Sequence, residues 1–256
     1  MLDNRRRFPA CLTRLPLVYF RLPENVRRYI RLHIGNFPRL YYPLHNPIRD
    51  HSILSVKRDT QLVIEGFPRS ANTFAVEAFC QAQKEHVHIA HHLHVPAQII
   101  RAVKWNIPTV VLIRRPIDAI ASLILREPKL SLHFAIQYYV KFYGSIMRYR
   151  TAYVVGTFDE VTTDYGRVIR RVNATFQTSF SPFEHTDDNV RMVFLGIEEL
   201  LTGREGKVSE LKIARPSTQK DHLGSQVKAD LLSEKYRHAL SRAQSLYADL
   251  AFNVSH

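Results

Sequence analysis

The sequence predicts an α/β domain in which a central, mainly parallel sheet is flanked by helices. Three apolar runs carry this reading: Leu62, Val63 and Ile64; residues 109–113, TVVLI; and residues 152–158, AYVVGTF. Continuous apolar runs of this length are what strands buried on both faces show. Each leads through a turn into a stretch with helical spacing of apolar residues, the alternation that builds parallel sheets. A chain of 256 residues is long enough for one such domain with a sizeable core. No internal repeat, low-complexity tract or clear linker divides it. We therefore expect a basic N-terminal extension at residues 1–58, packed on or leading into a domain at 59–256.

Composition narrows the partners. The apolar fraction of 45% and charged fraction of 23% are ordinary for a folded protein, whereas the net charge of +13 is not. It calls for an anionic partner: nucleic acid, an acidic membrane surface, or a multiply charged cofactor or substrate. Cys11 and Cys80 are too few for a disulfide framework or a Cys-rich metal site, which fits a reducing, cytoplasmic setting.

The first fifty residues hold ten arginines against Asp3, Glu24 and Asp50. The arginines at 5, 6 and 7 imitate the start of a signal peptide. The following FPACLTRLPLVYF is broken by Pro9, Arg14 and Pro16, so neither a leader nor a membrane span is expected there. Residues 23–34, PENVRRYIRLHI, predict a helix with Pro23 at its start and Val26, Ile30 and Ile34 on one face. Its basic face is expected to be solvated, with peripheral docking on an anionic membrane surface as the other use.

The strand at Leu62 runs into QLVIEGFPRSANTF (61–74) and then into a helical segment, with Gly66 and Pro68 ending the strand and Ser70 and Asn72 preceding the helix. A strand feeding a tight turn and a helix presents free backbone N–H groups and the positive end of the helix dipole, an anion site. Arg69 adds a full charge. The ATP-binding form of this loop is G-x-x-x-x-G-K-[ST]. Gly66 and Thr73 occupy its outer positions, but Ala71 replaces the second glycine and Asn72 the lysine.

Next comes EHVHIAHHLHVP, with a short strand expected over residues 87–90 and His86, His88, His91, His92 and His94 crowded around it. HxH spacing on a strand can place two imidazoles on one face. With no nearby Cys or carboxylate pair to complete a ligand set, no metal is expected. A catalytic base is the alternative, because histidine titrates near neutrality. On an extended segment His92 and His94 project to one side and His91 to the other. The run at 109–113 then ends in Arg114 and Arg115, at the strand end where α/β proteins bind ligands. Pro116 and Asp118 suit the first turn of the helix that follows, and Ser122 lies about a turn further in.

Together these stretches resemble the sulfotransferase family, enzymes that use 3′-phosphoadenosine 5′-phosphosulfate. The family's 5′-phosphosulfate loop, Pro-Lys/Arg-Ser-Gly-Thr-Thr, corresponds to Pro68, Arg69, Ser70, Ala71, Asn72 and Thr73. Its 3′-phosphate motif, an arginine followed by Pro, Asp and a serine eight residues on, is matched in order by Arg114, Pro116, Asp118 and Ser122. The Thr-His-Leu segment that holds the family's base corresponds to His91, His92 and Leu93. The resemblance spans about residues 60–180. It implies a three-layer, P-loop NTPase-like fold and transfer of a sulfuryl group to a hydroxyl or amine. It assigns Arg69, Ser70, Ala71, Asn72, Thr73, Arg114 and Ser122 to the nucleotide, and Arg69 and His92 to catalysis; His94, on the same side of an extended segment as His92, is the competing base. Phe158 would flank the adenine, and a basic segment, KVSELKIARPSTQKDHLGSQ (207–226), would close over the cofactor through Arg215 or Lys220.

The residues make chemical sense of that implication. A nucleotide with a 3′-phosphate and a 5′-phosphosulfate needs two anion sites, which the turns at 66–74 and 114–122 offer. Arginine can pair phosphate in a bidentate fork, and positioning plus electrostatics then do the work without a metal. A P-loop kinase or ATPase is the first rival, with Asn72 standing where that class carries its lysine. A non-enzymatic basic module is the second, and it leaves the ordered Arg114-to-Ser122 pattern unexplained. Nucleic acid is not the expected partner. Residues 132–150 and 187–201 are expected to be helices, as are 165–176, through a Thr163 or Asp164 cap, and 227–252.

Overall fold

A computed structural model describes residue 19 and residues 21–45, 54–205 and 218–252. The arginines at 5, 6 and 7, Cys11 and Arg215 lie outside the described residues.

The strands among the described residues are β1 (Leu62–Gly66), β2 (Ile89–His91), β3 (Thr109–Ile113) and β4 (Val154–Thr157). They form one sheet in the order β2-β1-β3-β4 with every neighbouring pair parallel. The runs that predicted β1 and β3 are buried at every position. Strand alternation sorts their side chains. Leu62, Ile64, Val110 and Leu112 face one side, and Val111, Ile113 and Val155 the other.

Helices cover both faces. On the first lie α3 (Asn72–Ala82), α7 (Phe158–Thr163), α8 (Tyr165–Phe176) and α9 (Asp187–Glu205), through residues such as Phe79, Val161, Val168 and Ile197. On the second lie α4 (Pro96–Lys104), α5 (Pro116–Arg126), α6 (Leu132–Ile146), α10 (Thr218–Leu231) and α11 (Arg237–Ala251). This is the expected three-layer arrangement. Parallel pairing puts the C-terminal ends of all four strands on one edge, which is where such folds place their ligands.

Two N-terminal helices, α1 (Glu24–Ile34) and α2 (Pro38–His45), complete the described part. They are tied in by the Ala97 N–H donating to the Gly35 carbonyl at 2.7 Å and by Tyr41 and Tyr42, buried with Val63, Ala90 and Leu93. The face of α1 differs from the expected one. Leu32 is its buried residue and Val26 is exposed. The reason lies in the basic positions. Arg31 turns inward and donates to the Leu93 carbonyl, so the helix is rolled away from a purely apolar seam.

Three local expectations change. The helix at 132 stops at Ile146 and continues as a 3₁₀ segment, Met147–Ala152. The long terminal helix is two, α10 and α11, separated by a 3₁₀ turn at Glu234–Tyr236. Residues 218–226, expected in a loop, belong to α10, which carries Lys220. Among the described residues no helix is long and apolar enough to cross a membrane.

Candidate active site

The turn after β1 starts from a glycine that nothing else could replace. A Cβ on Gly66 would stand 2.4 Å from the Leu112 carbonyl oxygen of β3, so the two strands touch through it. Six non-glycine residues among those described have positive φ, and four of them meet here: Arg69 at 70°, Ala71 at 65°, His92 at 57° and His94 at 52°. Such backbone costs of order 1–3 kcal/mol per residue and clusters at functional sites. Left-handed residues at alternate positions also turn backbone N–H groups toward one point, which makes an anion-binding concavity. Ala71 therefore takes the conformation that a glycine would take without strain.

Neither expected cap holds α3. Its N-cap is Ala71, with no side-chain hydrogen bond, so the first N–H groups of the helix are left to other acceptors. Ser70 is wholly buried and faces the Tyr143 hydroxyl. Only its backbone is placed for a ligand. Asn72 is also buried, and its Nδ2 donates to the Phe67 carbonyl at 3.0 Å, bracing the turn across its mouth. Tyr143 supports the turn from below, accepting from the Phe67 N–H at 3.3 Å and donating to the Leu112 carbonyl at 2.7 Å. Burial raises its pKa, so the phenol stays a neutral donor.

Arg69 joins the two turns that the sequence singled out. Its Nε donates to Ser122 Oγ at 3.0 Å, and its carbonyl accepts from Arg114 Nη1 at 3.2 Å. Burial first, then Arg126 and Arg114, push its pKa down to about 10. It stays protonated at neutral pH, at an electrostatic cost. The Arg114 guanidinium lies 4.0 Å from the centroid of the Phe158 ring, which accordingly presents a face to a cation. Burial lowers the Arg114 pKa, opposed by Asp118 and Asp159. Asp118 itself pairs with Lys228 of α10 at 2.6 Å.

The histidine segment lies across the turn. Thr73 Oγ1 is 3.1 Å from His92 Nε2, and His92 Nδ1 is 2.6 Å from His91 Nδ1. His94 Nδ1 is 2.8 Å from the Gly66 carbonyl oxygen. The expected alternation, with His91 on the opposite side, is not found. Left-handed φ at His92 and His94 breaks strand geometry, and His91, His92 and His94 all line the same cleft as Arg69, Thr73 and Arg126. Among the described residues no group of three or more potential metal ligands converges.

That cleft measures about 1000 Å³. It is lined by the turn, by Leu123, Phe134 and Tyr138, by Val76 and Leu200, and by Arg28 and Arg31 of α1. Arg28 also reaches Glu127 at the end of α5, at 2.8 Å. The N-terminal helix thus forms part of a wall whose role the sequence did not disclose. Glu65 was also missed. It is a fully buried carboxylate beside Gly66, and its one sequence signal is an acidic residue inside an apolar run.

Fold and site together define a layered α/β protein with an arginine- and histidine-lined cleft at the strand ends. No protein-family model and no curated protein matches the chain in sequence. Among solved structures the chain is similar to mouse sulfotransferase SULT7A1 complexed with PAP. That match has a TM-score of 0.43 and 8% sequence identity, over 79% of this chain and 88% of that one.

Proposed function

We propose that the protein is a sulfotransferase that moves a sulfuryl group from 3′-phosphoadenosine 5′-phosphosulfate to a hydroxyl or amine acceptor. One observation carries the reading. Arg69, which lines the cleft, donates to Ser122 and accepts from Arg114 through its carbonyl, so the two strand-end turns are joined beside the cleft although Arg114 and Ser122 do not line it. Arg69 sits buried against Arg126 and Arg114, like charges that a polyanion would relieve. This is what a ligand with a 3′-phosphate and a 5′-phosphosulfate requires.

When bound, the nucleotide supplies the sulfuryl group in activated form. Arg114 and the Ser122 hydroxyl hold the 3′-phosphate. Arg69, Thr73 and the backbone N–H groups of Ser70, Ala71 and Asn72 face the 5′ end, where Arg69 neutralises the charge that builds on the departing oxygen. A histidine takes the proton of the acceptor, His92 by the resemblance and His94 as its competitor. The acceptor lies in the cleft, whose apolar walls suit an organic body larger than a simple alcohol.

The test combines binding and turnover. The protein should be stabilised by 3′-phosphoadenosine 5′-phosphate far more than by adenosine 5′-phosphate, in the presence of a chelator. Radiolabelled cofactor with a panel of hydroxyl and amine acceptors should then yield a sulfated product. Equal response to the two nucleotides, with no transfer, would sink the reading.

A further inference from the structure

Glu65 sits inside a buried strand, where an ionised carboxylate is costly unless its oxygens are occupied. They are. Oε1 accepts from the Gly66 N–H at 3.0 Å, and Oε2 accepts from the Leu93 N–H at 2.9 Å and from Gln98 Nε2 at 3.2 Å. Those bonds tie β1 to the histidine segment. They also bring Oε1 to 3.4 Å from His94 Nδ1.

The same Nδ1 lies 2.8 Å from the Gly66 carbonyl oxygen. A carbonyl only accepts, so the proton of a neutral His94 ring is on Nδ1 and its lone pair on Nε2. Nε2 makes no hydrogen bond with the described residues, and the ring lines the cleft. The backbone around it is fixed as well. The Tyr138 hydroxyl donates to the His94 carbonyl at 2.6 Å, and Arg31 donates to that of Leu93. His92 is different, because one ring nitrogen is on Thr73 and the other on His91.

We propose that Glu65 and His94 form a carboxylate–imidazole pair: the Gly66 carbonyl sets the His94 tautomer, Glu65 is a positioning residue that holds the histidine segment and faces Nδ1 with a negative charge, and Nε2 is the proton acceptor of the cleft. The pair deepens the sulfotransferase reading and rests on it for the identity of the group transferred. As the acceptor oxygen bonds to sulfur, its proton passes to His94 Nε2. The sulfur–oxygen bond to the nucleotide breaks, and its electron pair stays on the phosphate oxygen beside Arg69. The imidazolium so formed has the Glu65 carboxylate 3.4 Å away to stabilise it.

The test begins with nitrogen-15 NMR of the full chain, with the His94 signals assigned by their loss in His94→Ala. We expect the tautomer with hydrogen on Nδ1. A hydrogen on Nε2 overturns the pair whether or not any activity is found. Kinetics come second. His94→Ala should lower kcat roughly 10²–10⁴-fold, as loss of a positioned base does, and His92→Ala should cost less. Glu65→Gln should lower kcat by at least about tenfold while leaving the affinity for 3′-phosphoadenosine 5′-phosphate unchanged, since a lost orienting group acts on turnover. A folded Glu65→Gln protein with full turnover, or an active His94→Ala beside an inactive His92→Ala, overturns the proposal. Should Glu65→Gln not fold, Glu65→Asp, which keeps the charge but draws it back from Nδ1, should lower kcat in its place, and full turnover in that variant overturns the proposal. A wild-type protein that transfers no sulfuryl group to any acceptor removes the proposed function and leaves the tautomer result standing.

Discussion

Arg69 Nε donates to Ser122 Oγ over 3.0 Å, joining the turn after β1 to the helix after β3 across 53 residues of sequence. The hydroxyl accepts this bond, so its own proton is left to be donated to a ligand. Ser122→Ala removes that donor and frees the Arg69 side chain. Hydrogen bonds to charged groups contribute about 1.5–3 kcal/mol, so 3′-phosphoadenosine 5′-phosphate should bind at least roughly tenfold more weakly, measured by calorimetry. Unchanged affinity would separate Ser122 from the phosphate.

Arg69 itself should trade stability for binding. Its pKa is depressed to about 10 by burial, Arg126 and Arg114. The sign follows from linkage: between the folded value and the higher unfolded one, the unfolded chain binds more protons, so this group's contribution to stability rises with pH through that window. At neutral pH both forms are protonated and the cost is constant. Arg69→Gln removes it and should raise the melting temperature of the ligand-free protein. Relief of about 1 kcal/mol corresponds to roughly 2–4 °C at this chain length. The same variant should lose the stabilisation that 3′-phosphoadenosine 5′-phosphate gives the wild type. A variant that melts lower and still responds to nucleotide would contradict both halves.

Arg114 is aimed by a ring. Its guanidinium lies 4.0 Å from the Phe158 centroid, and such contacts are worth about 0.5–2 kcal/mol. Phe158→Leu keeps the apolar volume and removes the π face. It should weaken 3′-phosphoadenosine 5′-phosphate by a few-fold and leave adenosine 5′-phosphate almost unaffected. Arg114→Ala should abolish the preference between the two nucleotides. An equal loss for both nucleotides in Phe158→Leu would return that ring to the adenine.

The strands that frame this site were legible because burial on both faces leaves a plain signature, as Thr109–Ile113 shows. The position of Arg114 was legible for a related reason: a charge directly after such a run stands at a strand end. What lay beyond sequence was pairing across topology. Nothing local joins Thr73 to His92, which meet only because β1 and β2 are neighbours. The left-handed backbone of His92 and His94 was hidden too, since no glycine marks it, and it moves His91 into the cleft against simple alternation. Glu65 was overlooked because its apolar neighbours defined the strand. The break after Leu231 failed for the opposite reason, with Leu232 prolonging an apolar pattern past the point where the helix stops.

Asn72 separates the transferase from the kinase reading. It stands where an ATP-binding loop has its lysine, yet its side chain is buried and its Nδ2 donates to the Phe67 carbonyl at 3.0 Å. The residue braces the turn and does not reach outward. Asn72→Ala leaves that carbonyl without its donor, and an unsatisfied buried group costs about 1–3 kcal/mol. The turn should loosen, with a lower melting temperature and weaker binding of 3′-phosphoadenosine 5′-phosphate. Asn72→Lys tests the rival directly. A P-loop able to take a triphosphate would gain its missing charge and bind Mg²⁺-ATP. In the observed packing the ammonium instead enters a buried position near the Arg69 cluster, where an unpaired charge typically costs about 3–5 kcal/mol. We expect a strongly destabilised protein with no gain in Mg²⁺-ATP binding, read by thermal melting and by titration with the nucleotide. A stable Asn72→Lys protein that binds Mg²⁺-ATP would place this turn among the kinase loops instead.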